Sequence, residues 1–157
     1  LSKSFDYLKL KKEESIMDLI KDILQGREVF TVRSGATIKD TVNYMASKGV
    51  GLVPVMNDEK LVGVFSERDL VKRVIAKDRD LISSLVDDVM STSLVIAKID
   101  ESNESVLAKM KEAKTRHILI IDNEKLVGVL SLRDLLEIDL NQCKTTVEVL
   151  NNYIYSK

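Results

Sequence analysis

Two short β-branched runs, residues 29–32 (VFTV) and 94–97 (LVIA), each come just before a stretch with helical spacing. β-Branched residues favour strands, so both runs predict strands. Thr37 and Ser102 then stand where the N-cap of a helix belongs. After Thr37, apolar or small side chains recur at the spacing of one helix face, at Ile38, Thr41, Val42 and Met45. Each half of the chain is therefore predicted to begin with a strand and a helix.

A hairpin and a second helix are predicted next in each half. Residues 52–56 (LVPVM) and 117–121 (HILII) are short apolar runs that predict buried strands. A turn follows each run, and the segment KLVGV then returns as the second arm of a hairpin. Ser66 and Ser131 come directly after these arms, where they can cap a further helix. The predicted order in each half is strand, helix, strand, strand, helix.

An internal repeat relates the two halves. Residues 59–70 read EKLVGVFSERDL and residues 124–135 read EKLVGVLSLRDL, so ten of twelve positions are identical at an offset of 65 residues. Self-similarity at a fixed offset indicates a repeated structural unit. One unit of this size buries too little surface to be stable alone. The sequence therefore predicts an α/β fold of the α+β type, with two pseudo-symmetric repeats packed sheet to sheet around one core.

The two ends of the chain differ from the repeats. An amphipathic helix is predicted by the apolar spacing of Ile16, Leu19, Ile20, Ile23 and Leu24. Past Cys143, a further helical stripe consists of Val147, Leu150, Tyr153 and Ile154. This stripe either covers the core or forms a contact between two copies in a homodimer, and the pattern leaves both open. The expected segments are a helical N-terminal part, two repeats and a helical extension, at residues 1–28, 29–84, 85–140 and 141–157.

Charge and composition exclude several classes of protein. With 24 basic and 25 acidic residues the formal net charge is −1, which argues against a general nucleic-acid binder. No apolar run approaches the ~20 residues that a membrane span needs, so no membrane association is expected. The one cysteine cannot form an internal disulfide, and the charged N-terminal segment does not fit a signal peptide. A cytoplasmic protein is the resulting expectation.

The repeated motif Gly-Val-Phe/Leu-Ser-x-Arg-Asp-Leu contains candidate binding chemistry. A serine that opens a helix places its hydroxyl near backbone N–H groups that favour anions such as phosphate. An aspartate three residues later accepts hydrogen bonds only, which suits the vicinal hydroxyls of a ribose. The neighbouring arginine offers planar donors to phosphate. The candidate residues are Ser66, Arg68 and Asp69 in the first copy and Ser131, Arg133 and Asp134 in the second.

A structural explanation of the same motif stays open. Ser-x-x-Asp resembles a capping box, in which the serine and the acid satisfy the first turn of a helix. Catalysis has little support, since the sequence contains no Gly-x-x-x-x-Gly-Lys loop, no Gly-x-Gly-x-x-Gly and no Gly-x-Ser-x-Gly elbow. Its single histidine, His117, begins a predicted buried strand and has no cysteine or second histidine with which to build a metal site. The chain is therefore expected not to be an enzyme.

Two copies of this element order, each ending in G-V-[FL]-S-x-R-D-L, resemble a pair of CBS domains, the regulatory repeat of cystathionine β-synthase. Residues 87–90 (DDVM) and 52–55 (LVPV) fit the same pattern. The resemblance implies a regulatory module that binds AMP, ADP, ATP or S-adenosylmethionine in clefts between its repeats, with no required cofactor. Asp69 and Asp134 would then hold ribose hydroxyls, with the two serines near phosphate.

The resemblance also implies that each cleft takes groups from both repeats. The Ser66 and Asp69 site would gain Thr115, Arg116 and His117, and the other site would gain Val50, Gly51, Leu52 and the backbone around Phe30. Because Arg116 is a charged donor, the Ser66 and Asp69 cleft is expected to be the better phosphate site. His117 is equally consistent with a structural strand residue. A module that modulates a partner enzyme or transporter without a nucleotide is the alternative function.

Overall fold

The computed structural model describes residues 20–155, and the side chains of Val149, Tyr153 and Tyr155 lie outside that description. Predicted apolar residues Ile16 and Leu19 fall outside it as well. The chain divides into two compact units. The first-repeat unit is Glu28–Leu94, and the second-repeat unit joins the residues up to Arg27 to those from Val95 onward.

A three-stranded sheet and two helical regions build the first-repeat unit. Its elements are strand β1 (Val32–Arg33), helix α2 (Ile38–Lys48), strands β2 (Leu52–Asn57) and β3 (Lys60–Ser66), and the short helix α3 (Glu67–Asp69). β1 runs parallel to β2, and β2 runs antiparallel to β3. The helical path continues beyond α3 as a π-helical turn, and two 3₁₀ turns follow, at Leu70–Val74, Ile75–Lys77 and Val86–Asp88.

The second-repeat unit has the same plan with one long helix at its end. Residues 20–24 form helix α1. The elements that follow residue 94 are β4 (Ile96–Lys98), α4 (Asn103–Glu112), β5 (His117–Asp122), β6 (Lys125–Ser131) and α5 (Leu132–Tyr155). β4 is parallel to β5, and β5 is antiparallel to β6. The predicted mixed α and β fold with two repeats is confirmed.

Local sequence features account for the helix starts and the hairpins. The hydroxyl oxygen of Thr37 accepts a hydrogen bond from the Asp40 backbone N–H at 3.1 Å, and Ser102 caps α4 in the same way. In the second hairpin Asn123 and Glu124 have φ values of 46° and 65°. Positive φ at both central residues is the geometry of a two-residue turn that matches strand twist. These predicted features are confirmed.

Two predicted elements differ in the structure. The strands predicted at 29–32 and 94–97 begin later and are short, because only residues with a partner on the next strand join the ladder. The helix predicted after Ser66 is α-helical for three residues only. In the turn that follows, the N–H of Ile75 is shared between the carbonyls of Leu70 and Val71, which widens the helix.

Each sheet packs on a core to which the other half of the sequence contributes. Ile20 and Leu24 of α1 lie in the core of the second-repeat unit, although α1 precedes the first repeat. Val86 and Val89, which precede the first strand of the second-repeat unit, lie in the core of the first-repeat unit. The segment before the first strand of each unit therefore packs in the core of the other unit.

α5 is one unbroken helix over 24 residues. It extends the predicted helix past Cys143 and crosses the predicted segment boundary at residue 140. The part of the chain that the structure describes holds no helix long and apolar enough to cross a membrane.

Candidate functional site

Ser66 and Asp69 form a closed pair at the end of β3. The Ser66 backbone N–H and hydroxyl both donate to Asp69 Oδ2, at 3.0 and 2.7 Å. In return the Asp69 backbone N–H donates to Ser66 Oγ at 3.3 Å. The Asp69 residue is 9% exposed, so the carboxylate is held in one orientation. This is the capping box that the sequence left open as a structural explanation.

Ser131 and Asp134 repeat this geometry in the second-repeat unit. The backbone N–H and hydroxyl of Ser131 donate to Asp134 Oδ2 at 2.7 and 2.8 Å, and the Asp134 N–H donates to Ser131 Oγ at 3.2 Å. In both units the serine thus fixes one carboxylate oxygen. The other oxygen, Oδ1, is left to interact with groups from elsewhere.

In each unit an arginine contacts Oδ1 of the aspartate, but the two arginines come from different parts of the fold. Arg73 Nε lies 3.3 Å from Asp69 Oδ1, four residues further along the same helical segment. Arg27 Nη2 donates to Asp134 Oδ1 at 3.0 Å, from the segment that follows α1. Sequence reasoning missed both residues. The i, i+4 spacing of Asp69 and Arg73 could have indicated the first pair, whereas nothing local indicates the second.

These contacts set the pKa of Asp134. Burial acts to raise the pKa, but the hydrogen bond from Arg27 and those from Ser131 outweigh it, and the pKa lies below its ordinary value. A carboxyl group whose pKa is lower in the folded than in the unfolded state stabilises the fold at pH values above its unfolded pKa. This stabilisation is lost as the pH falls through the folded pKa.

We therefore expect acid to weaken the second-repeat unit through this carboxylate. Arg27→Gln should lower the free energy of unfolding by about 0.2–1 kcal/mol at pH 7, because the arginine is partly exposed. As the pH falls below about 4, the ordinary range of an aspartate, and then through the lowered pKa of Asp134, the difference between the variant and the wild type should shrink because Asp134 takes up its proton. Urea unfolding at pH 7 and pH 3 measures this. Exposed Arg79→Gln is the charge-matched control, and an equal deficit at both pH values would contradict the assignment.

The start of the preceding strand lies beside each motif. In the first-repeat unit the Glu67 N–H donates to the Gly51 carbonyl at 3.0 Å, and Leu52 pairs with Ser66. In the second-repeat unit the Leu132 N–H donates to the Arg116 carbonyl at 2.8 Å, and His117 pairs with Ser131. Each predicted strand segment thus lies next to the serine of its own repeat. The pairing of segments across the two repeats stays a prediction.

Other predicted residues have local roles that the sequence did not reveal. Thr115 Oγ1 donates to the His117 carbonyl at 3.0 Å and accepts from the His117 N–H at 3.3 Å, which shapes the entry to β5. The Val50 N–H closes the end of α2 by donating to Met45 O at 3.1 Å. The Phe30 ring lies edge-on to a tyrosine of α2, with the Lys48 ammonium 4.9 Å from its centre.

Fewer backbone N–H groups are available to an anion at these helix starts than the sequence suggested. In each motif the first N–H of the helix donates to the carbonyl of the residue just before a strand, Gly51 or Arg116, and the third N–H donates to the capping serine. In the first-repeat unit the Glu67 carboxylate lies beside Gly51, since a Cβ placed on that glycine would be 3.3 Å from Glu67 Oε2. Its negative charge disfavours an anion there. The corresponding residue in the second-repeat unit is Leu132. Arginine side chains, Arg68 and Arg133 among them, are therefore the stronger candidates for phosphate contacts.

The family model of the CBS domain matches the chain twice, at residues 9–76 and 86–141. The chain belongs to the CBS-domain family. Its two Ser-x-x-Asp capping boxes therefore stand at equivalent places in two CBS repeats, as the resemblance in the sequence predicted.

Individual relatives agree with this assignment. The CBS domain-containing protein YhcV of Bacillus subtilis is 34% identical over 119 residues, which cover 76% of this chain and 84% of that protein. The chain spans a smaller share of several other curated relatives, from 17% to 66% of their lengths.

Solved structures of CBS-domain proteins superpose on most of the chain. A candidate signal-transduction protein with CBS domains from Burkholderia ambifaria gives a TM-score of 0.73 at 26% identity, covering 80% of this chain and 93% of that one. A hexameric CBS-CP12 protein from bloom-forming cyanobacteria gives 0.64 at 27% identity, covering 69% and 65%.

Proposed function

We propose that this CBS pair is a regulatory module, without catalytic activity of its own, that binds an adenine nucleotide such as AMP, ADP or ATP. The observation that carries the proposal is the aspartate of each repeat, whose carboxylate is fixed at one oxygen by a serine and faces an arginine at the other. A fixed, partly buried carboxylate beside a partly exposed arginine can take a ribose diol and a phosphate together.

The chemistry at each carboxylate follows from its donors. Oδ2 of Asp69 and of Asp134 already accepts two hydrogen bonds from its serine, while Oδ1 has one arginine partner. A carboxylate oxygen has room for a second donor, so Oδ1 can accept a ribose hydroxyl. The arginine then lies next to the ribose, where its remaining N–H groups can donate to the phosphate.

Regulation requires that binding changes an equilibrium. A nucleotide that contacts groups of both repeats would favour one arrangement of the module, and a regulated protein would respond to that arrangement. Each motif has one arginine at Oδ1, Arg73 or Arg27, and one arginine in its own sequence, Arg68 or Arg133. The motifs differ at Glu67, which opposes phosphate in the first, where the second has the uncharged Leu132. Arg116, if it reaches the first motif as the resemblance implies, offsets this. Substituting Asp69 and Asp134 one at a time shows which of the two sites binds the nucleotide.

Thermal unfolding with AMP, ADP, ATP, S-adenosylmethionine and GTP tests the proposal. A ligand at 100 times its dissociation constant adds about 2.7 kcal/mol, which raises the Tm of a chain this size by about 5–11 °C. Asp69→Asn and Asp134→Asn keep the volume and can still accept the serine hydrogen bond. They place an amide where the ribose acceptor should be, so one of them should remove the shift.

Asp58→Asn in the first hairpin turn is the matched control, since it loses the same charge away from both motifs and should keep the shift. A shift with S-adenosylmethionine alone would change the ligand class. If no nucleotide moves the Tm of a protein that unfolds cooperatively, the proposal fails and the alternative, a module that acts on a partner protein without a nucleotide, takes its place.

A further inference from the structure

One face of α5 carries an unbroken row of exposed positions. Its members are spaced by four, three, four, three and four residues: Leu136, Leu140, Cys143, Val147, Leu150 and Ile154. The five aliphatic side chains are between 51% and 63% exposed, and the cysteine is exposed as well. A 4-3 spacing repeats every 3.5 residues on average, which is the seam of a coiled coil. We name this row the heptad face.

Among the residues that the structure describes, none of the second-repeat unit covers the heptad face. α5 packs on its own core through Leu135 and Ile138, which are 0% and 1% exposed. With Leu140, Val147 and Ile154 at the a positions of the heptad, these two core residues take positions c and f, on the opposite side of the helix. α5 is therefore apolar on two opposite faces, and among the described residues of the unit only one of these faces has a partner.

The heptad face also lies largely beyond the family match. That match ends at residue 141, and α5 continues to Tyr155. Isolated helices of about 12–15 residues are marginal in water, so the part of α5 beyond the match gains little from propensity alone. A second helix packed on the heptad face would supply the missing stabilisation.

We propose that the heptad faces of two copies of this chain join as a parallel, two-stranded coiled coil. β-Branched residues at a and leucine at d favour parallel pairs. Two of the three a positions are β-branched here, Val147 and Ile154. Two of the three d positions, Leu136 and Leu150, are leucine.

Charge selects the parallel orientation. In a parallel pair a g residue faces the e residue of the next heptad on the other helix, which sets Asp139 opposite Lys144 of the second copy. Asn103 Nδ2 donates to Asp139 Oδ1 at 2.7 Å and so holds this carboxylate in place. An antiparallel pair that aligns all six apolar positions would instead bring Lys144 close to Lys144 of the second copy, and like charges at that distance repel.

Sedimentation equilibrium of the whole chain tests the association. Val147→Glu puts a charge into the seam and should halve the mass of the assembly. Thr145→Glu introduces the same side chain two residues earlier, at the outward f position, and should leave the mass unchanged. Far-UV circular dichroism of both variants reports whether the fold is kept. A monomeric wild type, or an unchanged mass in folded Val147→Glu, overturns the proposal.

Oxidative crosslinking tests the orientation. A disulfide needs Cα atoms about 4.4–6.8 Å apart, and equivalent d positions face each other only in a parallel pair. The wild type should therefore form a covalent dimer through Cys143, and Cys143→Ser with Leu150→Cys should form one as well. Cys143→Ser with Thr145→Cys should not. If Leu150→Cys crosslinks only when Leu140→Cys is also present, the pair is antiparallel and the proposal is wrong.

Discussion

Phe65→Ala is expected to lower the free energy of unfolding by about 3–5 kcal/mol, the usual cost of removing a buried aromatic side chain. Phe65 is 0% exposed, and it lies in the core of the first-repeat unit. The substitution leaves a cavity that the surrounding β-sheet residues cannot fill without moving the backbone. Urea unfolding followed by circular dichroism measures the loss.

The second repeat supplies the control for this substitution. Leu130 stands at the position equivalent to Phe65 and is also 0% exposed, so the same strand geometry accepts a leucine. Phe65→Leu retains most of the volume and should cost less than about 1.5 kcal/mol, as swaps close in volume do. A leucine variant as unstable as the alanine variant would show that the aromatic ring itself, rather than buried volume, is required.

Gly63→Ala is expected to destabilise the first-repeat unit by about 1–3 kcal/mol, the usual cost of overpacking a filled site. A Cβ on Gly63 would meet the Met90 side chain, with Met90 Cγ at 2.8 Å and the Ser91 carbonyl oxygen at 3.1 Å. That carbonyl is held by the Val64 N–H at 2.9 Å, so it cannot move away without breaking a hydrogen bond. The melting temperature should fall accordingly.

A double-mutant cycle separates the two contacts of Gly63. Met90→Ala removes the side chain and should recover part of the loss in Gly63→Ala, because only the contact with the backbone carbonyl then remains. Purely additive effects of the two substitutions would contradict the close approach of Met90. Gly128, at the equivalent position, approaches the side chain of Leu24 instead.

Most of the local structure follows from nearby residues, and this is why the sequence predicted it. The serine and threonine caps depend on groups within three residues of each other, and the hairpins depend on two turn residues. Because the two halves repeat the same sequence pattern, elements predicted in one half could be assigned to the other as well. The π-helical turn after α3 could not be predicted, since Leu70 to Val74 read as ordinary helical residues.

Long-range contacts limited the prediction of the site. The sequence correctly placed serine and aspartate at the start of a helix, and left open whether they form a capping box. Arg27 reaches Asp134 across 107 positions of the chain, and no local pattern encodes that contact. Only the fold, which places α1 on the sheet of the second repeat, brings the two residues together.

The crossed packing of α1 has a consequence for how the chain folds as it leaves the ribosome. Leu24 contacts Gly128, which is made 104 positions later (128 − 24), and at about 5–20 residues per second the wait is roughly 5–20 s. The first-repeat unit is complete as soon as residue 94 emerges, while the apolar face of α1 still has no sheet to cover. Because β3 and β6 differ only at Phe65 and Leu130, the first sheet presents a strand almost identical to the one that α1 finally packs on. Met90 occupies the space beside Gly63 in the folded protein, and we expect it to keep α1 off the first sheet while the second is still being made.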